Sequence, residues 1–342
     1  MPSPDAGTAP AVVLSGHGPV GRAYAERLLT QGQGLARDHG VRPRLAAVRV
    51  GSAQVLLPGD PDGRAVPPRT EWAPLADLAQ TLDRTGARVL VQALPSSPQA
   101  RQQAAEEAVL ALGRGVHVVT ATKSHLLSHW SELGEAARAG GSLIRISGAT
   151  GASLPAADLA RTGVRGLGCR TLRACPNGTA TFVLDRLAAG DPLDRAVGEA
   201  QRRGIAEADP TADLSGGDAA TKVRLLAALL WGWEPSAVRV ATEAVDARTG
   251  PAALAAAARG NRLRAVASAS AEHPFVVEVR LEETVPGDPL HALTGPEKAV
   301  VYGCPDAGDI TVSGGRSSPL GAALAMLRDT IDVTAPRGYG FG

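Results

Sequence analysis

Two side chains of opposite charge, Asp218 and Lys222, stand four residues apart where a helical pattern begins. Residues at this spacing lie on one face of a helix, so the carboxylate and the ammonium can meet. A lysine held beside a carbonyl group can polarise it and pass a proton to its oxygen. The alternative interpretation is an ordinary exposed ion pair, which contributes little to the stability of the fold. We therefore treat the two residues as candidate acid–base groups.

Further carboxylates lie on the polar segment ahead of this pair. Glu207 and Asp213 are six residues apart, and Asp209 precedes Pro210 in a pair typical of a turn. The spacing differs from that of a calcium-binding loop. The histidines and the three cysteines form no pattern of metal ligands, so no metal site is predicted.

A glycine-rich segment follows the first apolar run of the chain, residues 11–15, and precedes a helical pattern over residues 22–29. Glycines between a strand and a helix let the backbone approach a pyrophosphate, which binds at the helix N-terminus. A glycine-rich turn without a ligand is the alternative. The expected cofactor-binding residues of this segment are Gly16, Gly18, Pro19, Val20 and Gly21.

The second apolar run, residues 45–50, bears on which nicotinamide cofactor is used. NAD-specific domains of this type carry an acidic residue near the end of that strand, whereas an arginine there accommodates the 2′-phosphate of NADP. The run holds Arg49 and no acid. This favours NADP, with NAD possible, unless Arg49 is only a solvated residue at the strand end.

The elements that must position these residues divide into two parts. Short apolar runs alternate with helical patterns over residues 98–112 and 124–139, which predicts a Rossmann-type α/β domain over residues 1–146. The glycine- and proline-rich residues 51–69 are expected to form a loop. The predicted strands are residues 11–15, 45–50, 89–94, 116–120 and 143–146.

Beyond residue 148 the pattern indicates an α+β domain over residues 147–312, with one mixed or antiparallel sheet. Its expected helices cover residues 179–200 and 219–230. A last helical pattern, residues 321–331, lies in a C-terminal segment of about residues 313–342. The predicted strands of this part are residues 238–242, 263–270, 275–281, 299–302 and 310–312.

Composition excludes several classes of function. A net charge of +1 and the lack of a basic run make nucleic acid an unlikely partner. No apolar run approaches the ~20 residues that span a bilayer, and no signal-peptide pattern opens the sequence. We therefore expect a cytoplasmic protein without a membrane or nucleic-acid partner.

Three segments carry a resemblance to a known family. Residues 204–222 read G-x-x-E-x-D-P, then D-x-x-G-x-D-x-x-x-K, and the other two segments are residues 120–123 and 177–179. Together they resemble homoserine dehydrogenases in the short, monofunctional form that lacks a regulatory domain. The resemblance implies reversible reduction of L-aspartate 4-semialdehyde to L-homoserine, in threonine and methionine biosynthesis, by a homodimer whose final helix returns to the nucleotide domain.

The resemblance also implies roles for individual residues. Lys222 acts with Asp218 at the reacting oxygen, and Lys123 supports substrate and cofactor. Glu207 and Asp213 hold the substrate's amino group. The remaining expected contacts are Asn177, Gly178 and Thr179 for the substrate, and Thr122, Lys123 and Gly314 for the cofactor.

Two segments depart from the family pattern. Residues 147–155 lack a carboxylate that relatives carry, which puts in doubt the monovalent-cation site of some relatives, and residues 314–323 lack a glycine-rich loop. In the late sheet, Lys298 stands where relatives have asparagine. These departures keep a second hypothesis open, a reductase of a related semialdehyde in a secondary pathway. A non-catalytic NADP-binding protein is a third, and the Asp218–Lys222 pair counts against it.

Overall fold

The structure is a computed structural model that describes residues 9–57, 59, 65–95, 97–315 and 317–335. The chain divides into two compact units, the first formed by Met1–Ala149 with Ala322–Gly342 and the second by Thr150–Gly321. The part of the expected C-terminal segment beyond residue 335 lies outside the described residues. Within the described residues, no helix is long and apolar enough to cross a membrane.

The first unit is built on a seven-stranded sheet of order β4-β3-β2-β1-β5-β6-β7. Strands β2, β1, β5, β6 and β7 are parallel, and the short β3 and β4 add antiparallel pairs at one edge. All five residues of β1 are buried, as expected for a central strand covered on both faces. The strands are β1 (Ala11–Ser15), β2 (Arg44–Val50), β3 (Ala53–Leu56), β4 (Ala73–Pro74), β5 (Ala87–Gln92), β6 (His117–Thr120) and β7 (Ile144–Arg145).

Four helices connect these strands: α1 (Pro19–His39), α2 (Leu78–Thr85), α3 (Pro98–Gly113) and α4 (Trp130–Gly140). Side chains cap two of them, since Asp77 accepts from the backbone of α2 and Ser97 from that of α3. Two expectations are corrected. Helix α4 begins at Trp130, because residues 124–129 form turns that bury His125, and the expected loop over residues 51–69 contains β3.

The second unit begins with short helical turns and then alternates helices with strands. After α5 (Ser147–Thr150), α6 (Ala156–Asp158) and a π-helical turn come β8 (Thr171–Cys175), α7 (Gly178–Ala188), α8 (Leu193–Arg202), α9 (Thr211–Leu214), α10 (Gly217–Trp231), β9 (Arg239–Thr242), α11 (Thr249–Ala258), β10 (Arg262–Ser270), β11 (His273–Thr284), β12 (Lys298–Cys304) and β13 (Gly308–Gly314). The last helix of the chain is α12 (Pro319–Thr334).

The sheet of this unit has the order β13-β12-β8-β10-β11-β9. Only β9 and β11 pair in parallel, so the sheet is mixed. The predicted fold class is therefore confirmed. The helical pattern over residues 179–200 forms two helices, α7 and α8, because Gly190 adopts a left-handed φ of 91° and Pro192 cannot continue a helix.

Candidate functional site

The glycine-rich loop after β1 has a shape that only glycine permits at two positions. Gly16 has φ of 99°, and a Cβ there would lie 2.3 Å from the carbonyl oxygen of Ala93. A Cβ on Gly21 would lie 2.1 Å from the oxygen of Gly16. At Gly18, a Cβ would meet no atom within 4 Å. The loop is thus tightly folded on its protein side and open over the first turn of α1, which fits a pyrophosphate.

Pro19 and Val20 begin α1, and Gly18 caps it without a side chain. The unpaired backbone N–H groups of this first turn therefore point toward the open side of the loop. They supply both hydrogen-bond donors and the positive end of the helix dipole. These groups would hold the phosphates of a dinucleotide, while the loop glycines allow its close approach.

Arg49 does not lie free at the strand end. Its side chain is buried, and Nη1 donates to Gln54 Oε1 at 2.8 Å, Thr81 Oγ1 at 2.7 Å and the carbonyl oxygen of Ala76 at 3.0 Å. Burial is also the largest cause of the lowered pKa of this guanidinium. The group ties β2, β3 and α2 together, and this internal role argues against direct contact with a cofactor phosphate.

A different arginine stands near the carboxyl end of β2. The guanidinium of Arg69 lies 4.5 Å from the ring centre of Trp72, and that ring lies 5.5 Å from the ring of His17. Pairing of β4 with Ala53 and Gln54 holds this segment beside the β2–β3 turn. Burial and then the charges of Arg22 and Arg69 lower the pKa of His17. Cationic groups therefore gather around the glycine loop.

Thr122 links the carboxyl ends of two neighbouring strands. Its Oγ1 accepts from the backbone N–H of Leu94 at 2.9 Å, and its own N–H donates to Thr120 Oγ1 at 3.1 Å. Lys123 follows and is half-buried. Ligands of open α/β sheets bind at the carboxyl ends of the strands, and these residues occupy such a position on β6.

Asp218 and Lys222, the candidate acid–base groups, form the ion pair that their spacing predicts. Lys222 Nζ lies 2.6 Å from Asp218 Oδ2, and the side chains are only 13% and 10% exposed. Lys222 Nζ also donates to the carbonyl oxygen of Pro176 at 2.9 Å. The pair is therefore held in place and largely removed from water, unlike an ordinary surface ion pair.

Asn177 organises the carboxylates of this site. Its Nδ2 donates to Asp213 Oδ1 at 2.6 Å and to Asp218 Oδ2 at 2.8 Å, while its Oδ1 accepts from the backbone N–H of Ala180 at 2.9 Å. One side chain thus caps α7 and joins two carboxylates that are 36 and 41 residues away in the sequence. The structure brings together Asn177, Asp213, Asp218 and Lys222.

The neighbours of Asn177 have packing roles. A Cβ on Gly178 would lie 2.4 Å from the carbonyl oxygen of Pro296, and Thr179 Oγ1 donates to the carbonyl oxygen of Ile205 at 3.1 Å. Pro296 and Ile205 line a cavity of about 600 Å³ that Gly314 also lines. A concave surface of this size can take a small ligand, and the Asn177–Thr179 turn packs against two of the residues that line it.

Glu207 is exposed on the loop between α8 and α9. Gln201 Nε2 donates to its backbone carbonyl at 3.2 Å, so the main chain of the loop is tied to α8. Asp209 shapes the next turn, because its Oδ1 accepts from Thr211 and these hydrogen bonds lower its pKa. Of the two carboxylates expected to hold an amino group, only Asp213 is joined by the Asn177 side chain.

In the sequence, Lys298 departs from the family pattern, but no role in the site was predicted for it. Lys298 is 1% exposed, and its Nζ donates to the carbonyl oxygen of Gly151 at 2.7 Å. A signal was present in the sequence, which holds only three lysines. Among the described residues, no group of three or more His, Cys, Asp or Glu side chains could hold a metal ion.

Comparison with known proteins gives matches over both units. A model described as "Homoserine dehydrogenase, NAD binding domain" matches residues 16–147, and the model described as "Homoserine dehydrogenase" matches residues 155–331. An NAD(+)-dependent homoserine dehydrogenase of Pseudomonas canavaninivorans is 27% identical over 94% of this chain and 95% of its own length.

Solved structures show the same fold. A putative homoserine dehydrogenase from Archaeoglobus fulgidus superposes with a TM-score of 0.83 at 23% identity, covering 96% of this chain and 100% of that one. A hyperthermophilic archaeal homoserine dehydrogenase in complex with NADPH gives a TM-score of 0.75 at 23% identity, covering 95% and 97%. The fold is thus one that is found with NADPH bound.

Proposed function

Since the chain belongs to the homoserine dehydrogenase family and is an NAD(P)-dependent oxidoreductase, we propose that it interconverts L-aspartate 4-semialdehyde and L-homoserine with NADP as its preferred cofactor. The observation that carries the proposal is the largely buried Asp218–Lys222 pair, whose carboxylate accepts a hydrogen bond from Asn177. An exposed or broken pair would instead have favoured a binding protein without catalytic activity.

The hydrogen bonds of Lys222 support a role at the reacting oxygen. An ammonium has three donors, and two are taken by Asp218 and by the carbonyl oxygen of Pro176. The third is left for the aldehyde oxygen of the substrate. NADPH, when bound, would supply the hydride that reduces the aldehyde carbon. As negative charge develops on the oxygen, Lys222 stabilises it and donates the proton that completes the alcohol.

The substrate's ammonium requires carboxylates that are not already neutralised. We assign Asp213 and Glu207 to it, and Asn177 with the Gly178–Thr179 turn to the wall of the same site. The hydrogen bond from Asn177 fixes Asp213, and an amide brings no charge of its own that would compete with a bound ammonium. Glu207 stands exposed on its loop and is available to a ligand that enters from solvent. Lys123, at the end of β6, is assigned to the nicotinamide end.

For the cofactor preference, Arg69 replaces Arg49 as the residue that we assign to the 2′-phosphate. Arg69 is exposed, rests on Trp72 and lies beside His17 of the glycine loop, whereas Arg49 is buried in internal hydrogen bonds. Stacking on an aromatic ring orients a guanidinium and leaves its edge free for a phosphate. NAD remains the alternative cofactor.

A second candidate function, reduction of a related semialdehyde, is favoured by one observation. The two segments that depart from the family pattern meet in the second unit, where a Cβ on Gly315 would lie 2.7 Å from Ser153 Oγ. Changes that contact each other can reshape a substrate site together. Homodimer formation and a cytoplasmic location stay predictions, and the first is checked by sedimentation of the purified protein.

Initial rates with L-aspartate 4-semialdehyde and a panel of small aldehydes test the proposal, with NADPH and NADH compared for each. We expect the highest kcat/KM for the amino-acid semialdehyde with NADPH. Lys222→Ala is the matched inactive variant. A higher kcat/KM for another semialdehyde would support the second candidate, and no turnover of any substrate would contradict both.

A further inference from the structure

Lysine is almost absent from this protein. The sequence has 35 Lys and Arg residues together, of which only Lys123, Lys222 and Lys298 are lysines, so 35 − 3 = 32 are arginines. An arginine side chain stays charged at any physiological pH, whereas a lysine can release its proton when it is buried. In a chain that uses arginine for nearly every other cation, the three lysines are the basic side chains that burial can most readily turn into neutral groups.

The sheet register places Lys298 at the end of β8 from which Pro176 and Asn177 contact the Asp218–Lys222 pair. Strands β12 and β8 are antiparallel, with Ala299 opposite Cys175 and Val300 opposite Ala174. Lys298 precedes Ala299 and Pro176 follows Cys175, so both residues lie at the same end of this strand pair. The carbonyl oxygen of Pro176 accepts from Lys222, and the following residue, Asn177, holds Asp218. Lys298 therefore begins β12 at the end of β8 that is followed by Pro176 and Asn177, the residues that bind Lys222 and Asp218.

The charged groups that act on Lys298 are those of the pair itself. Burial is the main reason that its pKa falls to about 7, the charge of Lys222 lowers it further, and Asp218 opposes the change. Asp213 is connected to this group of charges through Asn177, which donates to both Asp213 and Asp218. Glu297, adjacent in sequence, is exposed and accepts from Thr294. The ammonium groups of Lys222 and Lys298 therefore both interact with the carboxylate of Asp218.

We propose that Lys298 is a third ionisable member of this site, a positioning residue whose charge controls how readily Lys222 gives up its proton. The proposal rests on the function proposed above. When Lys298 is charged, its ammonium repels that of Lys222 and also attracts the carboxylate of Asp218. Both effects weaken the hold of Lys222 on its proton, so donation to the substrate oxygen is favoured. When Lys298 is neutral, the Asp218–Lys222 pair retains its proton more tightly. In both forms the amine can donate to Gly151.

This arrangement makes the reductive reaction sensitive to pH near neutrality. Lys298 is mostly charged at pH 6 and mostly neutral at pH 8, because a group with a pKa of about 7 changes from roughly nine-tenths to one-tenth protonated over that range. If only the charged form supports fast proton transfer, kcat for aldehyde reduction falls by up to about tenfold across the interval.

The coupling can be measured without any substrate. With lysine labelled in its side chain with ¹³C or ¹⁵N, the native protein has three lysines to resolve by NMR, and Lys298→Gln identifies the signal of interest. We expect that signal to titrate near pH 7. Lys222→Met should raise its midpoint by removing a like charge, and Asp218→Asn should lower it. A midpoint that neither variant moves would overturn the proposal, since interacting sites must titrate together.

The consequence for turnover is measured as kcat for reduction at pH 6 and pH 8. Glutamine at position 298 keeps a donor for Gly151 and removes the charge, so the ratio of variant to wild-type kcat should fall by up to about tenfold from pH 8 to pH 6. Tyr302→Phe is the control: it removes another buried hydrogen bond from the same strand, to Ala156 at 2.7 Å, without changing a charge.

The Tyr302 variant should have the same relative kcat at both pH values. An equal loss at both pH values in Lys298→Gln would reduce Lys298 to a structural residue and refute its control of proton transfer. If the wild-type protein turned over no semialdehyde, the proposed function would fail, and the NMR titrations would still decide whether Lys298 is coupled to the pair.

Discussion

Asn177 offers the sharpest test of how the site is assembled, because its side chain both caps α7 and binds two carboxylates. Asn177→Ala removes the cap, which costs about 1 kcal/mol in the free energy of unfolding. It also removes donors to Asp213 and Asp218, and hydrogen bonds to charged groups contribute about 1.5–3 kcal/mol each when buried. Both carboxylates retain some access to water, so we expect a total loss of about 2–4 kcal/mol.

Two matched variants separate these contributions. Ser97→Ala removes a comparable cap, because Ser97 Oγ accepts from the backbone N–H of Ala100 at 3.1 Å at the start of α3, with no carboxylate involved. We expect it to lose only about 1 kcal/mol. Asn177→Asp keeps a good capping residue and places a third carboxylate beside Asp213 and Asp218. It should therefore be destabilised at neutral pH and recover stability as the pH falls.

Urea unfolding followed by circular dichroism gives the free energies, and initial rates give kcat. Because Asp218 holds Lys222, loss of its amide partner should misplace the ammonium and lower kcat by about 10–10². Equal destabilisation of the Asn177→Ala and Ser97→Ala proteins, with kcat unchanged, would refute the reasoning. The asparagine would then be a helix cap and nothing more.

Four further predictions concern the other residues assigned to the site and the buried Lys298. Lys222→Ala should lower kcat by about 10²–10⁴ with little change in NADPH affinity, measured by fluorescence titration; near-normal turnover would contradict its role. Arg69→Ala should weaken binding of 2′,5′-ADP more than that of 5′-AMP in calorimetry, whereas Arg49→Ala should mainly lower the unfolding temperature. A semialdehyde without the amino group should lose about 10²–10⁴ in kcat/KM, and Glu207→Gln should narrow that gap; equal rates would contradict the assignment. Finally, the folded-state pKa of Lys298, about 7, lies below its ordinary value of 10.5, so the unfolded chain binds more protons between these values. Stability in urea should therefore rise with pH above 7, by up to about 1.4 kcal/mol per unit, and the rise should be absent in Lys298→Gln.

The parts of the fold that local pattern decides were predicted from sequence. Strand β1 is an uninterrupted buried run that ends in glycines, and α1 begins at the proline that follows them. Strand β8 was missed although it lies in the interior of the second sheet. Only three of its five residues are buried, and Arg173 interrupts them. Its identity as a strand comes from pairing with β10 and β12, which no short window of sequence contains.

Arg49 shows a different limit. Its place at the end of β2 was predicted, but its environment was not. The groups that receive its hydrogen bonds come from β3 and α2, elements that the sequence reasoning had treated as a loop or had not identified. An arginine at a strand end can bind a phosphate only where neighbouring acceptors do not already take its hydrogen bonds. Here Gln54 and Thr81 accept its hydrogen bonds, which is why we assign the 2′-phosphate to Arg69 instead.

The acid–base site combines both situations. The spacing of Asp218 and Lys222 is local, so one helix suffices to bring them together, and the sequence predicted that pairing. Asn177 follows β8 and Lys298 begins β12, and these two strands are neighbours only in the folded sheet. Composition could have drawn attention to Lys298, because a lysine is conspicuous among thirty-two arginines. The groups that interact with Lys298 could not have been named from the sequence. The pKa of a buried amine depends on the charges around it, and here the folded sheet decides which charges those are.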